Sequence, residues 1–185
     1  AERNYVGVKC GIMDQLSITL GGGLNIRAKD LSFSSVSLEN SNCQLVILDT
    51  LVPRKLISSG YNSRYEEMLE VAEAIGLKSL DLIAGLNGVP KNLRPKLRAR
   101  LSHVLSECYR VKRATKAIEM QDWSALGSLM NQSHASLKDD YEVSCLELDT
   151  IVTFAQAQKG VLGARLTGAG FGGCAVALCE KSWVR

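Results

Sequence analysis

No apolar run in the sequence approaches the roughly 20 residues that a membrane span needs, so no membrane partner is expected. The opening AERNYVGVKCG lacks a charged stretch followed by an apolar core, so no secretory leader is expected either. The six cysteines form no C-x-x-C pair, which speaks against a zinc site. A G-x-S-x-G nucleophile elbow is missing, as are internal repeats and low-complexity segments. Charge of one sign is not in excess either. There are 22 Lys and Arg against 19 Asp and Glu, a net charge of +3 that is too mild to argue for nucleic acid. What remains is ordinary globular composition, with 185 residues, 46% hydrophobic and 22% charged. That length fits one sizeable core, or one domain plus part of another. Cys43, Cys108, Cys174 and Cys179 sit in apolar periodic stretches and read as small buried hydrophobes of a reduced, cytoplasmic protein. The chain enters a motif almost at Ala1 and stops just after an apolar strand, so both ends read as those of a fragment.

Periodicity divides the chain into short elements. Asn4 to Gly11 reads as extended, and Ile12 to Leu20 as one or two helical turns stopped by Gly21-Gly22-Gly23. Residues 24–28 and 33–38 alternate as a half-buried hairpin does. Gln44 to Thr50 is a continuous apolar run, the pattern of a strand buried on both faces. From Ser63 the period becomes helical, with Tyr65, Met68, Leu69, Ala72 and Ile75 on one face and Gly76 as the stop. Pro95 opens a long helix whose stripe is Leu97, Leu101, Val104, Leu105, Cys108, Val111 and Ile118. Asp122 reads as the cap of the next helix, and Ser144 with Glu147 as a capping box for another. Residues 163–166 and 174–179 read as strands around a glycine-rich loop. Helices and strands mix without strict alternation, which predicts an α+β or two-lobe α/β fold.

Five segments hold residues able to do chemistry. In Cys10-Gly11-Ile12-Met13-Asp14-Gln15, Asp14 follows a glycine at a helix start, where unpaired N–H groups favour a carboxylate. It reads as a helix cap or as a base for a substrate hydroxyl, and the local pattern alone favours the cap. Thr167-Gly168-Ala169-Gly170-Phe171-Gly172-Gly173 satisfies G-x-G-x-x-G, but a strand follows it where a dinucleotide fingerprint needs a helix. It is either an anion-facing set of N–H groups or a tight β connection. Tyr61 offers a hydroxyl to a polar ligand, or packs as a surface ring. Lys91 to Lys116 holds nine of the 22 basic residues against one acid, Glu107, and reads as a solvated helix face rather than a nucleic-acid site. Ser133, His134, Asp139 and Asp140 read as a polar helix end and not as a hydrolase triad.

Together these segments resemble the GHMP small-molecule kinase family. AERNYVGVKCGIMDQ resembles the stretch carrying the family's catalytic Asp, and QLVILDT followed by VPRKLISSGYNSR resembles a sugar-facing segment. MNQSHASLKDDYEVSCLELD and GVLGARLTGAGFGGC resemble the C-terminal signature and third glycine-rich motif. The likeness runs through nearly the whole chain. It implies a two-lobe α+β fold, with residues 1–52 ending the N-terminal lobe and residues 53–185 forming most of the C-terminal lobe. It further implies ATP-dependent phosphorylation of the anomeric hydroxyl of α-D-galactose, with magnesium. Asp14 matches the family's catalytic Asp. Glu2, twelve residues earlier, matches its magnesium-binding Glu. Gly11 matches a backbone position close to the sugar, Tyr61 the tyrosine contacting the sugar, and Gly168, Gly170, Gly172 and Gly173 the motif supporting the phosphate region. Two family motifs are absent: the N-terminal sugar motif with its catalytic Arg, and the Ser-rich phosphate loop. An isolated segment is therefore expected to be inactive. The rival expectations are a sibling kinase for N-acetylgalactosamine or arabinose, a non-catalytic galactose sensor, and a nucleic-acid binder using the basic helix.

Overall fold

The computed structural model describes residues 11, 13–27, 29–37, 39, 41–52 and 60–184. Helix α1 (Met13–Leu20) is followed by strands β1 (Gly23–Ile26) and β2 (Phe33–Val36), paired as an antiparallel hairpin. The alternation in residues 24–28 and 33–38 anticipates that hairpin. A second sheet contains β3 (Cys43–Asp49), β4 (Val161–Leu166) and β5 (Cys174–Glu180), all antiparallel, in the order β3-β5-β4. Between β3 and β4 the chain is helical: α2 (Tyr61–Ala74), a 3-10 turn at Leu80–Gly85, α3 (Pro95–Glu119), α4 (Trp123–Asp139) and α5 (Leu146–Gln156). The fold is thus α+β. No helix among the described residues is long and apolar enough to cross a membrane.

Helix ends follow from the sequence. Gly76, at φ +71°, closes α2 with bonds from its own N–H to Glu73 and from the Leu77 N–H to Ala72, satisfying two carbonyls that the helix leaves open. The same pair of bonds closes α3 through Gln121, at φ +56°, and Asp122. The Asp122 side chain then accepts the Ala125 N–H at 2.9 Å and starts α4. One residue therefore ends one helix and begins the next. The capping box expected at Ser144 does not form. The N-cap of α5 is Cys145, without a side-chain cap bond, and the Ser144 hydroxyl instead donates to Asp149 at 2.6 Å.

The main core lies between α5, the end of α4 and the β4–β5 face, with Leu148, Val152, Leu166 and Ala175 fully buried. A second cluster joins α2, α3 and the 3-10 turn through Met68, Val71, Ile83, Leu97 and Leu101. Tyr141 packs against both. α4 approaches β4 so closely that a Cβ on Gly127 would lie 2.3 Å from the Leu162 carbonyl oxygen, so only glycine fits there.

Three sequence expectations need correcting. Leu45 and Ile47 on one face of β3 are 50% and 63% exposed, so the strand is not covered on both faces. A run of apolar residues cannot report whether a layer packs on each face of its sheet. In α2 the expected face is buried at Met68 and Ala72, with Ile75 packed beside them, but Leu69 at its flank is exposed and Glu67 and Val71 are buried on the other flank. Val111 in the α3 stripe is likewise exposed.

Candidate functional site

Tyr61 is the first residue of α2 and is half-buried. It lines a cavity of about 280 Å³ together with Arg64, Tyr65, Tyr141, Val143, Gly168 and Ala169. Two segments that the sequence offered separately, the tyrosine and the glycine-rich loop, therefore meet. Gly60, just before Tyr61, sits against the Phe171 ring, which lies 2.8 Å from where a Cβ would stand.

The glycine-rich loop joins β4 to β5. Gly168, Gly170, Phe171, Gly172 and Gly173 all have positive φ, a conformation that glycine adopts without steric cost. A Cβ on Gly170 would lie 2.1 Å from the Val143 carbonyl oxygen. The Phe171 N–H donates to that carbonyl at 2.7 Å, and the Gly173 N–H donates to Val52 at 3.1 Å. The Gly173 carbonyl accepts both the N–H and the hydroxyl of Thr50. Two of the loop's donors are thus spent on neighbouring backbone. Of the two sequence readings, the tight β connection describes this geometry.

Asp14 lies in the first turn of α1 and is exposed. Gly11 is exposed too, and a Cβ there would meet nothing within 4 Å. Neither lines the Tyr61 cavity. Glu2, Cys10 and residues 53–59 fall outside the described residues. Among the described residues, no group of three or more His, Cys, Asp or Glu is placed to hold a metal ion. A larger cleft of about 660 Å³, lined by Asp122, Trp123, Glu180 and Lys181 among others, contains none of Gly11, Asp14, Tyr61 or the glycine-rich loop.

Behind the Tyr61 cavity runs a buried charge network that the sequence reading missed. Arg100 has no exposed surface, although the basic run of α3 reads as solvated. Its partners are Glu67, Glu142 and the Asp140 carbonyl. Burial raises the Glu67 carboxyl, but hydrogen bonds from Lys96 and Arg100 and the charge of Arg64 outweigh it and hold the group below its ordinary range. The hydrogen bond from Arg100 likewise lowers Glu142. A signal was available: position 100 lies three residues after Leu97 and four before Val104, inside the apolar stripe.

The polar cluster of α4 is structural. Ser133 donates to Glu107 at 2.8 Å, and Ser136 donates to Asp140 at 2.7 Å while also contacting His103 Nδ1 at 3.0 Å. His134 Nδ1 accepts the Leu166 N–H at 3.3 Å. Each group faces a different partner, so no triad forms. Burial pushes His103 down to about 4, with Glu107 pulling weakly the other way. The His103 ring stacks on Tyr141 at 4.5 Å.

Residues 114–182 match the family described as GHMP kinases C terminal. The whole chain is similar to galactokinases. It is 42% identical to that of Roseiflexus sp. (strain RS-1), covering 100% of this chain and 49% of the relative. It is 41% identical to that of Bos taurus, covering 98% and 48%. A solved Lactococcus lactis galactokinase complexed with galactose superposes with a TM-score of 0.89 at 39% identity, covering 98% of this chain and 49% of that one. The L. major mevalonate kinase in complex with R-mevalonate has a TM-score of 0.61 at 24% identity, which speaks to the fold alone. The chain spans about half the length of the curated relatives it matches.

Proposed function

We propose that this chain, homologous to galactokinases and carrying a GHMP kinase C-terminal region, is part of an enzyme that phosphorylates the anomeric hydroxyl of galactose with ATP, giving galactose 1-phosphate and ADP. The carrying observation is the likeness, over 98% of the chain, to a galactokinase that holds galactose. The exposed apolar residues Met13, Ile18, Phe33, Leu45 and Ile47 support the reading that this segment belongs to a larger body.

Each residue then has a task. Asp14, exposed in the first turn of α1, takes the proton of the anomeric hydroxyl as the oxygen attacks the terminal phosphorus. Gly11, with open space where a side chain would stand, lets the sugar approach the backbone. Tyr61 presents its hydroxyl to the sugar. Gly168, Gly170, Gly172 and Gly173 shape the connection that supports the phosphate region. Glu2 would hold magnesium, which supplies charge stabilisation at the phosphates. The protein is assigned to the cytoplasm. In the two-lobe division, residues 1–52 close the first lobe.

The test is coupled ADP release by the full-length protein against a sugar panel. Galactose should be the preferred acceptor, and Asp14→Asn should lower turnover by about a thousandfold while changing galactose affinity less than about threefold. Galactose binding without ADP release from any sugar would favour a sensor, and preference for N-acetylgalactosamine or arabinose a sibling kinase. Unchanged turnover in Asp14→Asn removes Asp14 from the reaction.

A further inference from the structure

The two walls of the Tyr61 cavity come from separate parts of the chain: α2, and the turn after α4 that carries Tyr141 and Val143. One fully buried guanidinium reaches both. From α3, Arg100 donates through Nε to Glu67 of α2 at 2.7 Å. One terminal nitrogen donates to the Asp140 carbonyl, and the other to Glu142 Oε2 at 2.5 Å. Glu142 stands at φ +52°, a left-handed conformation for which a side chain pays about 1 kcal/mol or more, so the turn has to be held from outside. The next residue, Val143, supplies the carbonyl on which the glycine-rich loop rests through the Phe171 N–H. Three differently directed bonds from one planar group fix direction as well as charge, which an ammonium cannot do.

We propose that Arg100 is a positioning residue that sets the spacing between the two walls of the Tyr61 cavity and seats the glycine-rich loop on the 140–143 turn. The mechanical part stands on this geometry alone. Its effect on sugar binding rests on the galactokinase reading.

The experiment compares Arg100→Lys and Glu142→Ala with the unaltered full-length protein by hydrogen exchange at two amides: Phe171 on the loop, and Leu178 in the central strand. We expect exchange at Phe171 to speed up about tenfold in both variants with Leu178 changed less than about twofold. Unchanged exchange at Phe171 overturns the proposal, and so does an equal acceleration at both amides, which would mean general destabilisation. Because the Glu142 side chain is 58% exposed, Glu142→Ala carries the same test if Arg100→Lys does not fold. In the kinetic arm, Arg100→Lys should raise the KM for galactose about tenfold with kcat within about threefold. A fall in kcat at unchanged KM overturns the link to the sugar. If the unaltered protein lacks galactose kinase activity, the functional reading fails, and the exchange arm still decides on the clamp.

Discussion

In α5, Leu148 and Val152 have no exposed surface, whereas in α1 Ile18 keeps 85% of its own. The two helices are alike in being short and apolar on one side. They differ in what lies opposite. α5 packs on β4 and β5, so its stripe is removed from water. α1 meets chiefly the small β1–β2 hairpin and buries no residue fully. The hairpin in turn has a polar link to α3 through Asn25 and Thr115, at 3.1 Å. Amphipathic spacing prepares a surface for burial, and stability comes only when a second surface covers it.

Three measurements test that contrast. The largest effect should come from cutting the side chain in each helix. In the 185-residue chain by itself, Leu148→Ala should cost about 3 kcal/mol in urea denaturation, and Ile18→Ala less than about 0.5 kcal/mol. Similar losses would mean that α1 is covered as well. The second is pH. Burial lowers His103 to about 4 and also lowers His134 against the attraction of Asp149, so each takes up its proton at a lower pH folded than unfolded. An unfolded histidine takes up its proton below about pH 6.5. Between these values the unfolded chain binds more protons, so stability present above about pH 6.5 is lost as the pH falls toward 4. Denaturation midpoints at pH 7, 5.5 and 4.5 should fall in that order, and His103→Gln should flatten the trend. Neither histidine is in the hairpin, so its amide exchange should show no step in this window. The smallest effect is at the α3–α4 joint, where Asp122→Ala should cost about 1 kcal/mol through the lost cap, read as a lowered midpoint.

Local rules were legible in the sequence. Pro95 opens α3, Asp122 caps α4, Gly76 stops α2, and the glycine-rich loop joins two strands. These features depend on neighbours within a few residues. The exposed face of β3 was not legible, because what covers a sheet face is set by elements far away in sequence. Nor was the exposure of Leu69 at the flank of the α2 stripe, which the partners of that helix decide. Of the candidate site, Tyr61 and the glycine-rich loop were each visible, but their meeting at one cavity depends on the path through four helices. Arg100 was hidden for a different reason. Its charge grouped it with eight basic neighbours, while its spacing placed it with the leucines, and only the carboxylates of Glu67 and Glu142 resolve the conflict.

The joint at Gln121 and Asp122 has a mechanical consequence. With the last bonds of one helix and the first of the next made by adjacent residues, no free linker separates α3 from α4, and a load on one is passed directly to the other. An added residue there would undo two terminations together. The exposed turn between β1 and β2 lacks that joint and should tolerate added length better than the α3–α4 junction does.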